Sequence, residues 1–172
     1  MPETVSPADR RVRDAAARKG VTIEVVTFAE STHTAEYAAR TVGARLGQIV
    51  KSLVFVAPAD DGSLEPCLAL VSGTDRVDVA RLGAVLGESG LRRATAREAR
   101  DLTGYVIGGI PPFGHPRPVR VVMDPNLGRH PTVWAAAGTQ NAVFEITPAT
   151  LRALSNAIVA PIAAAPSSTT AA

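Results

Sequence analysis

In the stretch Ile49-Val50-Lys51-Ser52-Leu53-Val54-Phe55-Val56 a lysine stands inside a run of β-branched and aromatic residues. Residues of this kind at this density predict a buried strand, here over Gln48 to Ala57. Side chains alternate between the two faces of a strand, so Lys51 shares a face with Ile49, Leu53 and Phe55. Sixteen of the 18 basic residues are arginine and only two are lysine. Burying an ammonium without a partner is expensive, and nothing in an arginine-rich composition calls for a lysine at this point. Two readings follow. Either the stem lies on an edge strand while the amine reaches water, or the amine is held there for chemistry.

Outward from the strand, Pro58-Ala59-Asp60-Asp61-Gly62-Ser63 predicts a hairpin turn into a second strand, Pro66 to Ser72. On the N-terminal side, Thr34 caps a helix through Ala44, and Val21 to Phe28 reads as a strand. Before it, Ser6-Pro7-Ala8-Asp9 opens a helix that runs to about Lys19 and stops at Gly20. On the C-terminal side, Asp78 caps a helix through Val85 and Thr95 another through about Leu102. Val119 to Met123 is a strand ending in a turn at Asp124-Pro125-Asn126. Thr132 to Ala136 and Ala142 to Ile146 pair around a turn at Gly138, and Thr147-Pro148 opens a last helix through about Asn156. Residues 1–162 read as one domain of mixed α and β elements. From Ala163 to 172 the uncharged Ala-Pro-Ser-Thr composition predicts a disordered tail.

A second distinctive stretch is Gly108-Gly109-Ile110-Pro111-Pro112-Phe113-Gly114-His115, after the short apolar run Tyr105-Val106-Ile107. Paired glycines allow angles and close approaches that a Cβ forbids, and two prolines stiffen the next step. Such a loop suits holding a ligand against backbone groups, although Gly-Pro clusters also mark ordinary connections. It matches neither GxGxxG nor GxxxxGK[ST], so a mononucleotide-binding fold is not supported.

The lysine strand, the loop Gly108 to Gly114, and the turn Ala135-Ala136-Ala137-Gly138-Thr139 occur in an order that resembles one family. This is the YbaK-like aminoacyl-tRNA deacylases, related to the editing domain of bacterial prolyl-tRNA synthetases. Thr34-Ala35-Glu36 and Gly73-Thr74-Asp75-Arg76-Val77-Asp78 are supporting matches, and the resemblance runs from about Val21 to about Ile162. It implies a mixed α+β fold, with a mixed sheet curled toward a barrel and helices outside. It also implies hydrolysis of the ester that joins a noncognate amino acid to a tRNA 3′ end. The tRNA acceptor end is then the partner, with a synthetase in trans as a further one, and tRNA-Pro carrying a small residue is one such substrate.

On this resemblance Lys51 is the catalytic residue, acting electrostatically and by positioning. Ser52 influences substrate choice. Gly108, Gly109 and Gly114 wrap the terminal adenosine and aminoacyl group, Pro112 fixes the curve, and Gly138 and Thr139 close the other wall. His115 stands either against the terminal nucleotide or, as exposure habits favour, on the surface. The alternative is a non-catalytic module of the same fold that binds tRNA ends or nucleotides; a third reading is a small-molecule hydrolase using the same pocket.

Composition bounds these readings. No apolar run is long enough to span a membrane, and Met1-Pro2-Glu3-Thr4 does not begin a signal peptide, which predicts a cytoplasmic protein. A net charge of +2 does not announce a nucleic-acid coat. Arg92, Arg93, Arg97 and Arg100 are interleaved with Glu98 and Asp101, as on a solvated helix face. The lone Cys67 lies in a predicted core strand, which favours an inert thiol over a nucleophile. His33, His115 and His130 have no metal-ligand spacing, and no GxSxG elbow is present, so neither metal, cofactor nor serine-hydrolase chemistry is expected.

Overall fold

The computed structural model describes residues 6–31 and 34–165. His33, the first five residues and the end of the expected tail lie outside that range.

Strands β2 (Val50–Pro58) and β3 (Leu64–Ser72) form the expected hairpin, paired antiparallel from Val50↔Ser72 to Pro58↔Leu64. The turn closes through Ala59 N–H to the Ser63 carbonyl, with Gly62 left-handed at φ 83°. Nine-residue strands of this apolarity bury both faces, and two cores result. One face (Val50, Val54, Val56, Leu68, Leu70) joins the main core. The other (Phe55, Ala57, Cys67, Ala69, Val71), the face of Lys51, packs with Leu82, Val122 and Ile162.

The helices start where side-chain caps can satisfy their first N–H groups. Ser6 caps α1 (Pro7–Arg18), Thr34 caps α2 (Ala35–Val42), and Asp78 caps α3 (Val79–Leu86). Thr95 and Glu98 form a reciprocal capping box on α4 (Ala96–Thr103), and Thr147 caps α5 (Pro148–Ser155). Of the arginine cluster, Arg97 and Arg100 lie on α4, where Arg97 faces Asp101 at 3.9 Å, whereas Arg92 and Arg93 precede the helix in a short strand and Arg92 pairs with Glu98 at 2.8 Å.

Among the described residues the strands form two sheets. The larger runs β4-β2-β3-β5-β8, where β4 is Arg92–Arg93, β5 is Arg120–Met123 and β8 is Ile158–Val159. The smaller runs β1-β7-β6, with β1 Val25–Thr27, β7 Ala142–Ile146 and β6 Val133–Ala136. Both β3–β5 and β5–β8 are parallel; the other pairs are antiparallel.

The fold is mixed α+β as expected, but neither sheet closes as a barrel. The physical reason lies on β2, whose outer edge is covered by β4 only at Phe55 and Val56. The sheets touch again at the isolated bridge Ile49↔Trp134, which leaves the edge between uncovered.

Three further expectations are revised. The strand expected over Val21 to Phe28 is regular only at β1, although Ile23 is buried. Asp124-Pro125-Asn126 is the start of a 3-10 turn, Pro125–Arg129, capped by Asp124. The backbone is still hydrogen-bonded where the tail was expected to begin: Ala163 bridges Val77, and Ala164 N–H donates to the Arg76 carbonyl.

Candidate active site

Strand alternation determines what the uncovered edge of β2 presents. The Ile49 carbonyl accepts from Gly73, on the side of β3, whereas the Val54 carbonyl accepts from Ala94, on the opposite side. Counting back by two, the N–H and C=O of Ser52 face away from β3, toward the gap between the sheets. The Ser52 hydroxyl is buried and finds no hydrogen-bond partner among the described residues. Groups of this kind point to a place where a polar ligand binds.

That gap is a cavity of about 260 Å³. β2 forms its floor from Ile49 to Val54, including Lys51 and Ser52. Thr34, Ala35 and Ala38 of α2 form one wall, and Ile107, Gly108 and Ile110 at the start of the Gly-Pro loop form another. Trp134, Ala135, Ala136 and Val143 close it from the smaller sheet, while Arg93 and Ala94 line it beside β4. Small aliphatic side chains dominate the walls, so the space suits a compact apolar or weakly polar group next to a charge.

Lys51 is half-buried, and its ammonium donates to the main-chain carbonyl of Asp75. Burial holds its pKa below the ordinary lysine value; Asp75 and then Glu36 oppose that shift, while Arg76 and Arg93 reinforce it. Arg93 places its guanidinium 5.9 Å from the Phe55 ring centroid. Two positively charged side chains, Lys51 and Arg93, thus line the cavity.

The other expected site residues divide by location. Lys51, Ser52 and Gly108 meet in this cavity. Pro112, Gly114 and His115 line a second one, of about 360 Å³, between α1 and the end of α5. His115 is held there by Nε2 against the Pro111 carbonyl at 2.8 Å and by an edge contact with Tyr105, and burial lowers its pKa. Gly109 and Gly138 make packing contacts. A Cβ on Gly109 would stand 2.6 Å from the Thr139 carbonyl carbon, and one on Gly138 would stand 2.9 Å from the Ala8 carbonyl oxygen. Thr139 turns its hydroxyl to Asn141 at 3.0 Å. No group of three or more His, Cys, Asp or Glu side chains suited to a metal occurs among the described residues.

Sequence reasoning missed the walls contributed by α2, Trp134 and Val143. The run Thr34-Ala35-Glu36 was the available signal, since it places small residues at the start of a capped helix.

Residues 29–154 match the model of the aminoacyl-tRNA editing domain. The chain belongs to the aminoacyl-tRNA editing domain family. It is 34% identical over 125 residues to an uncharacterized Bacillus subtilis protein, YwhH, covering 73% of this chain and 76% of that one. It is 32% identical over 112 residues to the Escherichia coli multifunctional Ser/Thr-tRNA deacylase ProXp-y, covering 64% of this chain and 65% of the deacylase. Among solved structures, a candidate trans-editing enzyme for prolyl tRNA synthetase superimposes with a TM-score of 0.85 at 45% identity, covering 94% of this chain and 100% of that one. In this editing-domain chain no described helix is long and apolar enough to cross a membrane.

Proposed function

We propose that this protein hydrolyses mischarged aminoacyl-tRNA in trans, and that the cavity between the two sheets holds the aminoacyl ester. The observation that carries the reading is the convergence of Lys51, Ser52 and Gly108 in one cavity, in a chain of the editing family. A water oxygen attacks the ester carbonyl, the bond to the ribose oxygen of the terminal adenosine breaks, and that oxygen takes up the proton. The ester is already activated, so positioning supplies much of the rate. Lys51 contributes a fixed positive charge near the carbonyl oxygen as negative charge develops there, and Ser52 supplies main-chain and hydroxyl groups beside it.

The walls support a small amino acid as the group removed, and tRNA-Pro carrying such a residue is the first substrate to try. Residues 1–162 act as one editing domain, in the cytoplasm, with a synthetase as a functional partner. A panel of tRNAs mischarged with alanine, serine, threonine and cysteine tests the proposal. Release of at least one amino acid by the purified protein, above the rate of spontaneous hydrolysis, is the expected result. Binding of the acceptor end without turnover of any member would assign the cavity to a non-catalytic module instead.

A further inference from the structure

Asp75 carries both a main-chain carbonyl and a carboxylate, and the Lys51 ammonium donates to the carbonyl. The carboxylate is engaged elsewhere. Asn126 donates from Nδ2 to Oδ2 of Asp75 at 3.0 Å, and the Thr74 hydroxyl lies 3.5 Å from Oδ1. None of the ion pairs among the described residues joins Lys51 to Asp75. Asn126 is itself fixed, because its N–H donates at 2.8 Å to Oδ1 of Asp124. The other oxygen of that carboxylate takes the N–H groups of Ile162 and Ala163 at 2.9 and 2.8 Å. Asp124 is 1% exposed, so the anchor is rigid.

We propose that Asn126 is a positioning residue for Lys51: it holds the Asp75 carboxylate aside, so that the ammonium is oriented by a neutral carbonyl and keeps its charge for the substrate. The two acceptors differ in consequence. A carbonyl directs an N–H without neutralising it, whereas a carboxylate at ion-pair distance offsets the charge and stabilises the protonated amine. The charged groups acting on Lys51 are Asp75 and Arg76 from the loop before α3, Glu36 from α2, and Arg93 from β4. Of these, Asp75 has the largest opposing influence on the burial effect, so its placement is the effective control.

The inference rests on reading Lys51 as the charge at the reaction centre, and its test does not require turnover. The chain contains two lysines, so protein labelled at the lysine 13Cε gives two NMR signals that titrate separately. Lys19, whose ammonium donates to the Ala153 and Leu154 carbonyls at 3.2 and 3.1 Å, is the internal control. In Asn126→Ala the Lys51 midpoint is expected to rise by about one pH unit while Lys19 stays put. Asn126→Asp, which keeps the side-chain size and repels Asp75, is expected to move it the same way. In an Asp75→Asn background the Asn126→Ala shift should vanish.

An unmoved Lys51 midpoint in either folded Asn126 variant, an equal shift of both lysines, or a shift that persists without the Asp75 charge would each overturn the proposal. The deacylation pH profile, measured in parallel, reports on the proposed function separately. A shifted midpoint in a protein that deacylates nothing would refute that function and leave the role of Asn126 standing.

Discussion

In the proposed reaction Lys51 is the residue on which the chemistry depends, and the consequences of changing it are specific. If its charge stabilises the developing oxyanion, Lys51→Ala should slow deacylation by about 10²–10³-fold, as the loss of one preorganised electrostatic donor does. The variant should remain folded, since a half-buried stem is removed without leaving a charge stranded; single-turnover kinetics beside a circular-dichroism melt would check both. His115 makes a prediction about pH. Burial keeps it below its ordinary value of 6.5, against the opposing effect of its bond to Pro111. The unfolded chain therefore binds the extra proton first, so stability is full above about pH 6.5 and falls as the pH drops toward the folded value. Melting temperatures at pH 7.5 and 5.0 should differ less in His115→Gln than in the wild type. Lys51 was legible because a lysine inside a β-branched run is costly. The Asp124–Asn126–Asp75 chain was not, because Asp-Pro-Asn has an ordinary turn composition and its meaning depends on a segment 38 residues later folding back to it.

At the scale of elements, the capped helices and the β2–β3 hairpin could be read directly, since caps, turn residues and apolar runs are local signals. Strands β4 and β8 could not. Each has two residues, β4 consists of two arginines, and both exist only because a longer neighbour offers an edge. The Gly-Pro loop was legible as a constrained segment, but the partner of its glycines was not. Gly109 was expected to approach substrate, and what the structure shows beside it is the backbone of Thr139. Gly109→Ala should therefore cost about 1–3 kcal/mol of stability, because the obstructing atoms are main chain and cannot rotate away. Activity per folded molecule should fall only as far as the displaced loop moves Gly108. Urea denaturation combined with active-fraction-corrected rates measures the two effects separately; unchanged stability with lost turnover would return Gly109 to the substrate site.

Across the whole molecule, the cavity exists because two sheets meet without merging, so both must be held in place by the cores on either face of β2–β3. The smaller core lies on the face of the hairpin that carries Lys51 and is completed from the far end of the chain. Ile162 is fully buried against it, its carbonyl accepts from Asp78 N–H at 2.7 Å, and its own N–H is held by Asp124. If residues through 162 form one cooperative unit, this C-terminal segment is part of the fold on which the active site rests. Ile162→Ala should then cost about 2–4 kcal/mol, the usual loss when a fully buried Ile or Leu is truncated and the cavity collapses only in part. The denaturant midpoint should fall while the slope stays the same and fluorescence from Trp134, which bridges Ile49 beside β2, follows the same curve as circular dichroism. Two separate transitions would mean that the C-terminal segment comes away while the Trp134 wall of the cavity stays folded, which would place the boundary of the functional unit before β8.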